Sequence, residues 1–255
     1  MKNTEELHAI ILAAGKGTRM KSDLPKVLHT LKGTELILYV IDTTINAGIR
    51  NIYIVVGFRH DLVKRSVESW LDKHPDKNNL NVKFILQTEQ LGTGHAVLMC
   101  KNELKDRPGY SMILLGDVPL IKPGSIKDAL HVALSKNIDC MVLSMKLENP
   151  AGYGRILRNL EESVMAIREE KDASNDEKSI KEVNTGTFIF NNQKLWGALD
   201  KVRTANSQKE YYLTDVLEIM VKSNDKIDSW VAGDSNEFQG VNSVDQLKNL
   251  EAVLG

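Results

Sequence analysis

The stretch LAAGKGTRMKSDLPK, Leu12 to Lys26, begins inside the apolar run His8 to Ala14, which reads as a buried strand. Two glycines, Gly15 and Gly17, come straight after that run. Glycine lets the chain turn sharply and lets main-chain N–H groups approach an anion closely. Four cations follow, Lys16, Arg19, Lys21 and Lys26, and several of them could converge on one polyphosphate. The spacing is neither G-x-G-x-x-G nor G-x-x-x-x-G-K-[ST], so the dinucleotide-binding and P-loop readings lose their support. A glycine turn after a strand is also a common structural element, and both readings stand for the glycines alone. The added Arg19 and Pro25-Lys26 favour an anion-binding loop.

Outward from that loop, short apolar runs alternate with segments of helical period, the pattern of a mostly parallel sheet with crossover helices. Strands are expected at His8 to Ala14, Asn51 to Val56, Val82 to Leu86, Ser111 to Leu115 and Asp139 to Met145. Helices are expected at Glu35 to Ala47, near Asp61 to Leu71, Gly94 to Leu104 and Ser125 to Ser135. In such a sheet, ligands gather at the carboxyl ends of the strands. After Pro150 the texture changes. Ile156, Val164, Ile167 and Val183 to Phe190 suggest further strands, Glu169 to Lys181 is charged and reads as a mobile loop, and helices close the chain near Tyr212 to Lys222 and after Asn242. The fold class expected is α/β: a Rossmann-like, mostly parallel mixed sheet flanked by helices, with a smaller lobe. The 255 residues are read as one domain, with halves at about 1–147 and 148–255. They contain no hexapeptide repeat, so no left-handed β-helix is expected.

The 33 basic and 34 acidic residues are intermixed and leave a net charge of -1, so no nucleic-acid partner is expected and any anion site must be local. The longest apolar runs are too short to span a bilayer. Cys100 and Cys140 have no C-x-x-C or metal-ligand spacing and read as buried thiols. A cytoplasmic protein with no membrane partner is the expectation.

The motif LAAGKGTRM followed by LPKVLHTL resembles the opening of the sugar nucleotidyltransferases. Its short Arg19 to Pro25-Lys26 spacing is similar to the bacterial N-acetylglucosamine-1-phosphate uridylyltransferases (GlmU type, N-terminal pyrophosphorylase domain). The blocks QTEQLGTGHA (87–96), LGDVPL (115–120), NPAGYGRI (149–156), EEKDAS (169–174), EVNTG (182–186), EYYLTD (210–215) and GVN (240–242) continue the resemblance in order. The chain departs from it at Leu115, where the family has Tyr, and at Lys209, where it has Gly.

The resemblance implies synthesis of UDP-N-acetylglucosamine and pyrophosphate from UTP and N-acetylglucosamine 1-phosphate, with Mg²⁺ as cofactor. The phosphate nucleophile is already an anion, so no Ser-His-Asp set is needed; positioned cations carry the burden. Carried over residue by residue, Arg19 and Lys26 are the catalytic candidates, and Leu12, Ala13, Ala14, Gly15, Lys26, Gln87, Gly92 and Thr93 hold the nucleotide. Gly154, Glu169, Asn184, Tyr212 and Thr214 face the sugar, in what would be the sugar-binding lobe. Asp117 and Asn242 are the metal candidates. Without the resemblance, Asp117 reads more readily as a turn or helix-cap residue, and the sugar-side residues as loop or capping residues. His95 reads as a helix-start residue. Oligomeric state stays open. A transferase of the same fold with another sugar 1-phosphate or nucleotide, and a catalytically silent nucleotide-binding module, are the competing readings.

Overall fold

Side chains in an extended run point alternately to opposite faces, and the first strand divides accordingly between two apolar cores. The computed structural model describes residues 6–253. Its elements run β1 (Leu7–Ala13), a small hairpin of β2 (Thr30–Leu31) and β3 (Thr34–Glu35), α1 (Leu36–Asn46), β4 (Asn51–Val56), α2 (His60–Leu71), β5 (Asn81–Leu86), α3 (Thr93–Leu98), α4 (Lys101–Leu104), β6 (Tyr110–Leu115), α5 (Pro123–Ser135) and β7 (Cys140–Lys146). The chain continues with β8 (Arg155–Arg158), β9 (Val164–Arg168), α6 (Asn175–Lys178), β10 (Glu182–Asn191), α7 (Asn192–Leu199), α8 (Asp215–Lys222), β11 (Ile227–Val231) and α9 (Val244–Val253).

The main sheet has the order β11-β7-β10-β6-β1-β4-β5. Strands β6, β1, β4 and β5 are mutually parallel, as are β7 and β11, while β10 runs antiparallel between β6 and β7. This is the mixed, mostly parallel sheet expected. Ala9, Ile11 and Ala13 of β1 pack with Ile37 and Ile41 of α1, Val63 and Val67 of α2, and Ile126 and Leu130 of α5. Ile10 packs on the other face with Val97 of α3, Leu195 and Trp196 of α7, and Leu217 and Met220 of α8. Burial on both faces explains why these strands read as continuous apolar runs.

The second half of the chain does not stand apart from the first, because β10 is inserted into the middle of the sheet. Its opening residues also reach β8, with Val183 opposite Arg155, and β8 pairs with β9 to form a small antiparallel extension. Since β10 opposes β6, its start lies at the same rim as the carboxyl ends of the parallel strands.

Three local expectations are corrected. The single helix at Gly94 to Leu104 is two, because Cys100 N–H bonds back three residues to Val97 O and tightens the turn between them. The charged segment Glu169 to Lys181 holds a short helix. Ser174 and Glu177 form a reciprocal capping box there, and Arg155 pairs with Glu170 at 2.7 Å. The helix expected from Tyr212 starts at Asp215, since the preceding backbone is engaged elsewhere: Tyr211 N–H donates to Leu91 O and Leu213 N–H to Thr93 Oγ1. Strand β11 and helix α7 were not anticipated. Both cysteines are free and buried, and burial pushes their thiols far up in pKa. Among the described residues no helix is long and apolar enough to cross a membrane.

Candidate active site

At the carboxyl rim of the parallel strands lies a cleft of about 550 Å³. Every nucleotide-side candidate lines it: Leu12 and Ala13 at the end of β1, Ala14 and Gly15 in the loop after it, Gln87 after β5, and Gly92 with Thr93 at the start of α3. Gly17 takes φ +64°, and a Cβ there would stand 2.6 Å from Lys26 Cβ, so glycine is what lets the loop fold against the lysine. Gly15 has no such requirement; a Cβ there would meet open space. Of the four cations in the loop, Arg19 and Lys26 face the cleft, whereas Lys16 and Lys21 are exposed and do not line it.

Arg19, Lys26, Asp117 and Asn242 form one cluster. Lys26 Nζ donates to Asp117 Oδ2 and, at 3.0 Å, to Asn242 Oδ1; Arg19 Nη2 donates to the same Asn242 oxygen at 2.9 Å. Asp117 is buried at 7% exposure on the turn after β6. That turn is held against the first loop by Gly116 N–H donating to Leu12 O at 3.0 Å. Asn242 is 223 residues from Arg19, and packing explains the meeting: Met20, next to Arg19, shares a small apolar cluster with Val241 and with Leu250 of α9. Val241 N–H also donates to Asp117 O at 2.9 Å, which fixes Asn242 beside the carboxylate. The outcome is two cations, one anion and one amide oxygen at the mouth of the first loop.

Gly154, Glu169, Asn184 and Thr214 also line the cleft. Thr214 Oγ1 donates to Glu169 Oε1 at 3.0 Å, and burial holds the Glu169 carboxyl above its ordinary pKa despite that bond. Asn184 spends its side-chain oxygen on Gly186 N–H at 2.9 Å, so it caps its own turn as well as facing the cavity. Tyr212 is not brought there. Its hydroxyl donates to Asp172 and accepts from Gln208 Nε2 at 2.8 Å, beside a second, smaller depression, and the cleft wall at that point is Leu213 and Thr214. The chain turns here, with Asp215 N–H donating to Tyr212 O at 3.3 Å and Val216 N–H to Leu213 O at 3.1 Å, and Tyr212 meets Asp172 and Gln208 while Thr214 meets Glu169.

Sequence reasoning missed several residues of the wall. Leu115 packs over Gly186, which takes φ +80° and where a Cβ would stand 2.5 Å from Leu115 Cδ1, so any other residue would be strained and would displace the leucine. Tyr153 also lines the cleft, its phenol pushed up in pKa by burial first and by Asp117 second. Gln90, Thr185 and Gly186 also line the cleft and sit inside blocks of recognised motif, which was the available signal. Lys209, where the resembled family has glycine, adopts φ +54°, so the left-handed turn is kept by a residue that tolerates it less well.

The family model for nucleotidyl transferase matches residues 8–235. The protein named "Bifunctional protein GlmU" from Streptococcus uberis is 41% identical over 247 residues, covering 97% of this chain and 52% of that protein. The protein of the same name from Clostridium perfringens is 42% identical over 246 residues, with 96% and 52% covered. The chain thus spans about half the length of the curated relatives it matches. A UDP-glucose pyrophosphorylase crystallised with UDP-glucose superposes with TM-score 0.77 at 19% identity, over 98% of both chains. A putative glucose-1-phosphate thymidylyltransferase from Bacillus anthracis gives 0.76 at 16% identity, over 97% of this chain and 94% of that one. At that identity these two structures speak to the fold, and they match the sheet described above.

Proposed function

The chain belongs to the nucleotidyl transferase family, and from that premise we propose that it transfers uridylate from UTP to N-acetylglucosamine 1-phosphate, releasing pyrophosphate. The observation that carries the reading is the cluster of Arg19, Lys26, Asp117 and Asn242 in the same cleft as the hydrogen-bonded pair Glu169 and Thr214. A polyphosphate needs cations and a sugar needs hydroxyl partners, and the lining of the cleft offers both. The likeness to the GlmU proteins over nearly the whole chain supports the choice of uridine and N-acetylglucosamine.

In the proposed reaction a phosphate oxygen of the sugar 1-phosphate forms a new bond to the α-phosphorus. The bond to the bridging oxygen breaks, and its electron pair leaves with pyrophosphate. No proton needs to be removed from the nucleophile, so no general base is required. Arg19 and Lys26 neutralise the triphosphate and the leaving group, whose charge grows as the bridging bond breaks. The first loop orients the α-phosphate, and the Gln87–Gly92 edge holds the base. Glu169 and Thr214 hold sugar hydroxyls, with Gly154 and Asn184 beside them.

Asp117 and Asn242 suit a magnesium ion: one carboxylate and one amide oxygen are hard donors, and both already converge on a positive charge, the Lys26 ammonium. When bound there, the ion would polarise the phosphate oxygens and offset the repulsion between two anionic substrates. Lys26 must then turn from Asp117 towards phosphate. We further propose that residues 1–147 serve the nucleotide and 148–255 the sugar.

Pyrophosphate release, assayed with each nucleoside triphosphate against a panel of sugar 1-phosphates, tests the proposal. UTP with N-acetylglucosamine 1-phosphate should be the best pair. Faster turnover of a different pair would move the substrate assignment, and no turnover of any pair would favour a silent binding module.

A further inference from the structure

Gln87 is 3% exposed, and both hydrogens of its side-chain amide are spent within the protein. Nε2 lies 3.3 Å from Gly92 O and 3.0 Å from His95 Nδ1. The direction of the amide follows from the first contact, because a backbone carbonyl has no hydrogen to give and can face only the NH₂ end. His95 Nδ1 must therefore accept, which puts the ring proton on Nε2. Among the described residues the Gln87 oxygen has no donor, and Gln87 lines the cleft. His95 is itself half-buried on α3, with its ring 6.2 Å from that of Tyr211.

We infer that His95 is a positioning residue for base selection: its Nδ1 acceptor, together with Gly92 O, locks Gln87 with the amide oxygen facing the base. An acceptor at that point favours a base that carries a ring N–H beside a carbonyl, as uracil and thymine do. It disfavours cytosine, whose ring nitrogen there bears a lone pair and would meet the oxygen with like polarity. Without His95 one amide hydrogen loses its partner, and the alternative rotamer, with NH₂ towards the base, becomes accessible. Selection against cytosine then weakens although no residue touching the base has changed. The inference rests on the proposed uridylyl transfer.

The test compares kcat/KM for UTP and CTP in the wild type, His95→Phe and His95→Asn, each with N-acetylglucosamine 1-phosphate. Phenylalanine keeps the ring and cannot accept a hydrogen bond. Asparagine brings an oxygen to roughly the Nδ1 position. The UTP-over-CTP preference should fall about tenfold in His95→Phe, the scale of one net hydrogen bond, through a higher KM for UTP and with KM for the sugar phosphate unchanged. His95→Asn should restore most of the preference. A preference within about twofold of wild type in His95→Phe, or an equal loss in both variants, would overturn the positioning role while leaving uridylyl transfer standing. A wild-type enzyme that does not prefer UTP would instead remove the premise.

Discussion

Replacing Asp117 by Asn changes the charge of the cluster while keeping its shape, and its consequence can be worked from the geometry. Lys26 Nζ is bound by Asp117 and Asn242, and its side chain is only 19% exposed. A phosphate that reaches for the same ammonium comes within about 6 Å of the Asp117 carboxylate. Like charges at about 6 Å repel by roughly 3 kcal/mol at an effective dielectric of about 20. Water in an open cleft screens this to about 1–2 kcal/mol, or about tenfold in affinity. Wild-type protein bears that cost when no metal is present, and the Asn variant does not. Calorimetric titration of UTP in the presence of a chelator should therefore show the variant binding about tenfold more tightly than wild type. Adding Mg²⁺ should tighten binding to the wild type and have little effect on the variant, whose turnover falls by about a hundredfold or more as charge stabilisation at the transferring group is lost. Metal-free binding that is unchanged or weaker in the variant, or turnover close to wild type, would refute the reasoning.

Arg19→Ala should reduce kcat by about a thousandfold or more while raising KM for UTP far less, the mark of a cation that acts on the leaving group; steady-state kinetics in both substrates check this. Gly92→Ala forces a side chain onto φ +108° and 2.6 Å from Tyr211 O, so it should cost about 2–3 kcal/mol and lower the melting temperature by about 4–10 °C. The same change should raise KM for UTP, because Gly92 O is a tether of Gln87. Asp215 carries a carboxyl that burial pushes from 3.8 up to about 6. A raised carboxyl pKa removes stability as pH climbs from about 4 to above 6, since the folded state then holds a charge that water would hold better. The shift corresponds to about 3 kcal/mol, discounted to about 1–1.5 kcal/mol for partial exposure and for the favourable start of α8. Asp215→Asn should accordingly melt higher than wild type at pH 7, and scans at falling pH should see the difference close by about pH 4.

The parallel half of the sheet was legible because its strands are buried on both faces and stand out as apolar runs; β4 occupies the Asn51 to Val56 run residue for residue. The position of β10 was not legible. Pairing between β6 and a strand some seventy residues later depends on which edges meet, and alternation within either strand carries no information about that. The rule that ligands gather at strand carboxyl ends pointed to the rim where the cleft lies, with Gln87 after β5 and Asp117 after β6 in its lining. The first loop overstated its cations, because Lys16 and Lys21 are neighbours of Arg19 in sequence but are exposed and do not line the cleft. Conversely, the convergence of Arg19 and Asn242 depends on Met20 packing with Val241 and Leu250, a contact no local pattern encodes. Tyr212 and Thr214 sat in one recognised motif, yet the cleft takes Thr214 and leaves Tyr212 beside the smaller depression.

The most direct measurement follows the α-phosphorus itself. With UTP labelled at that atom, N-acetylglucosamine 1-phosphate and Mg²⁺, the label should move into UDP-N-acetylglucosamine with one equivalent of unlabelled pyrophosphate, and a chelator should stop it. Label that stays in UTP, or that passes to a different acceptor from the sugar-phosphate panel, would contradict the account.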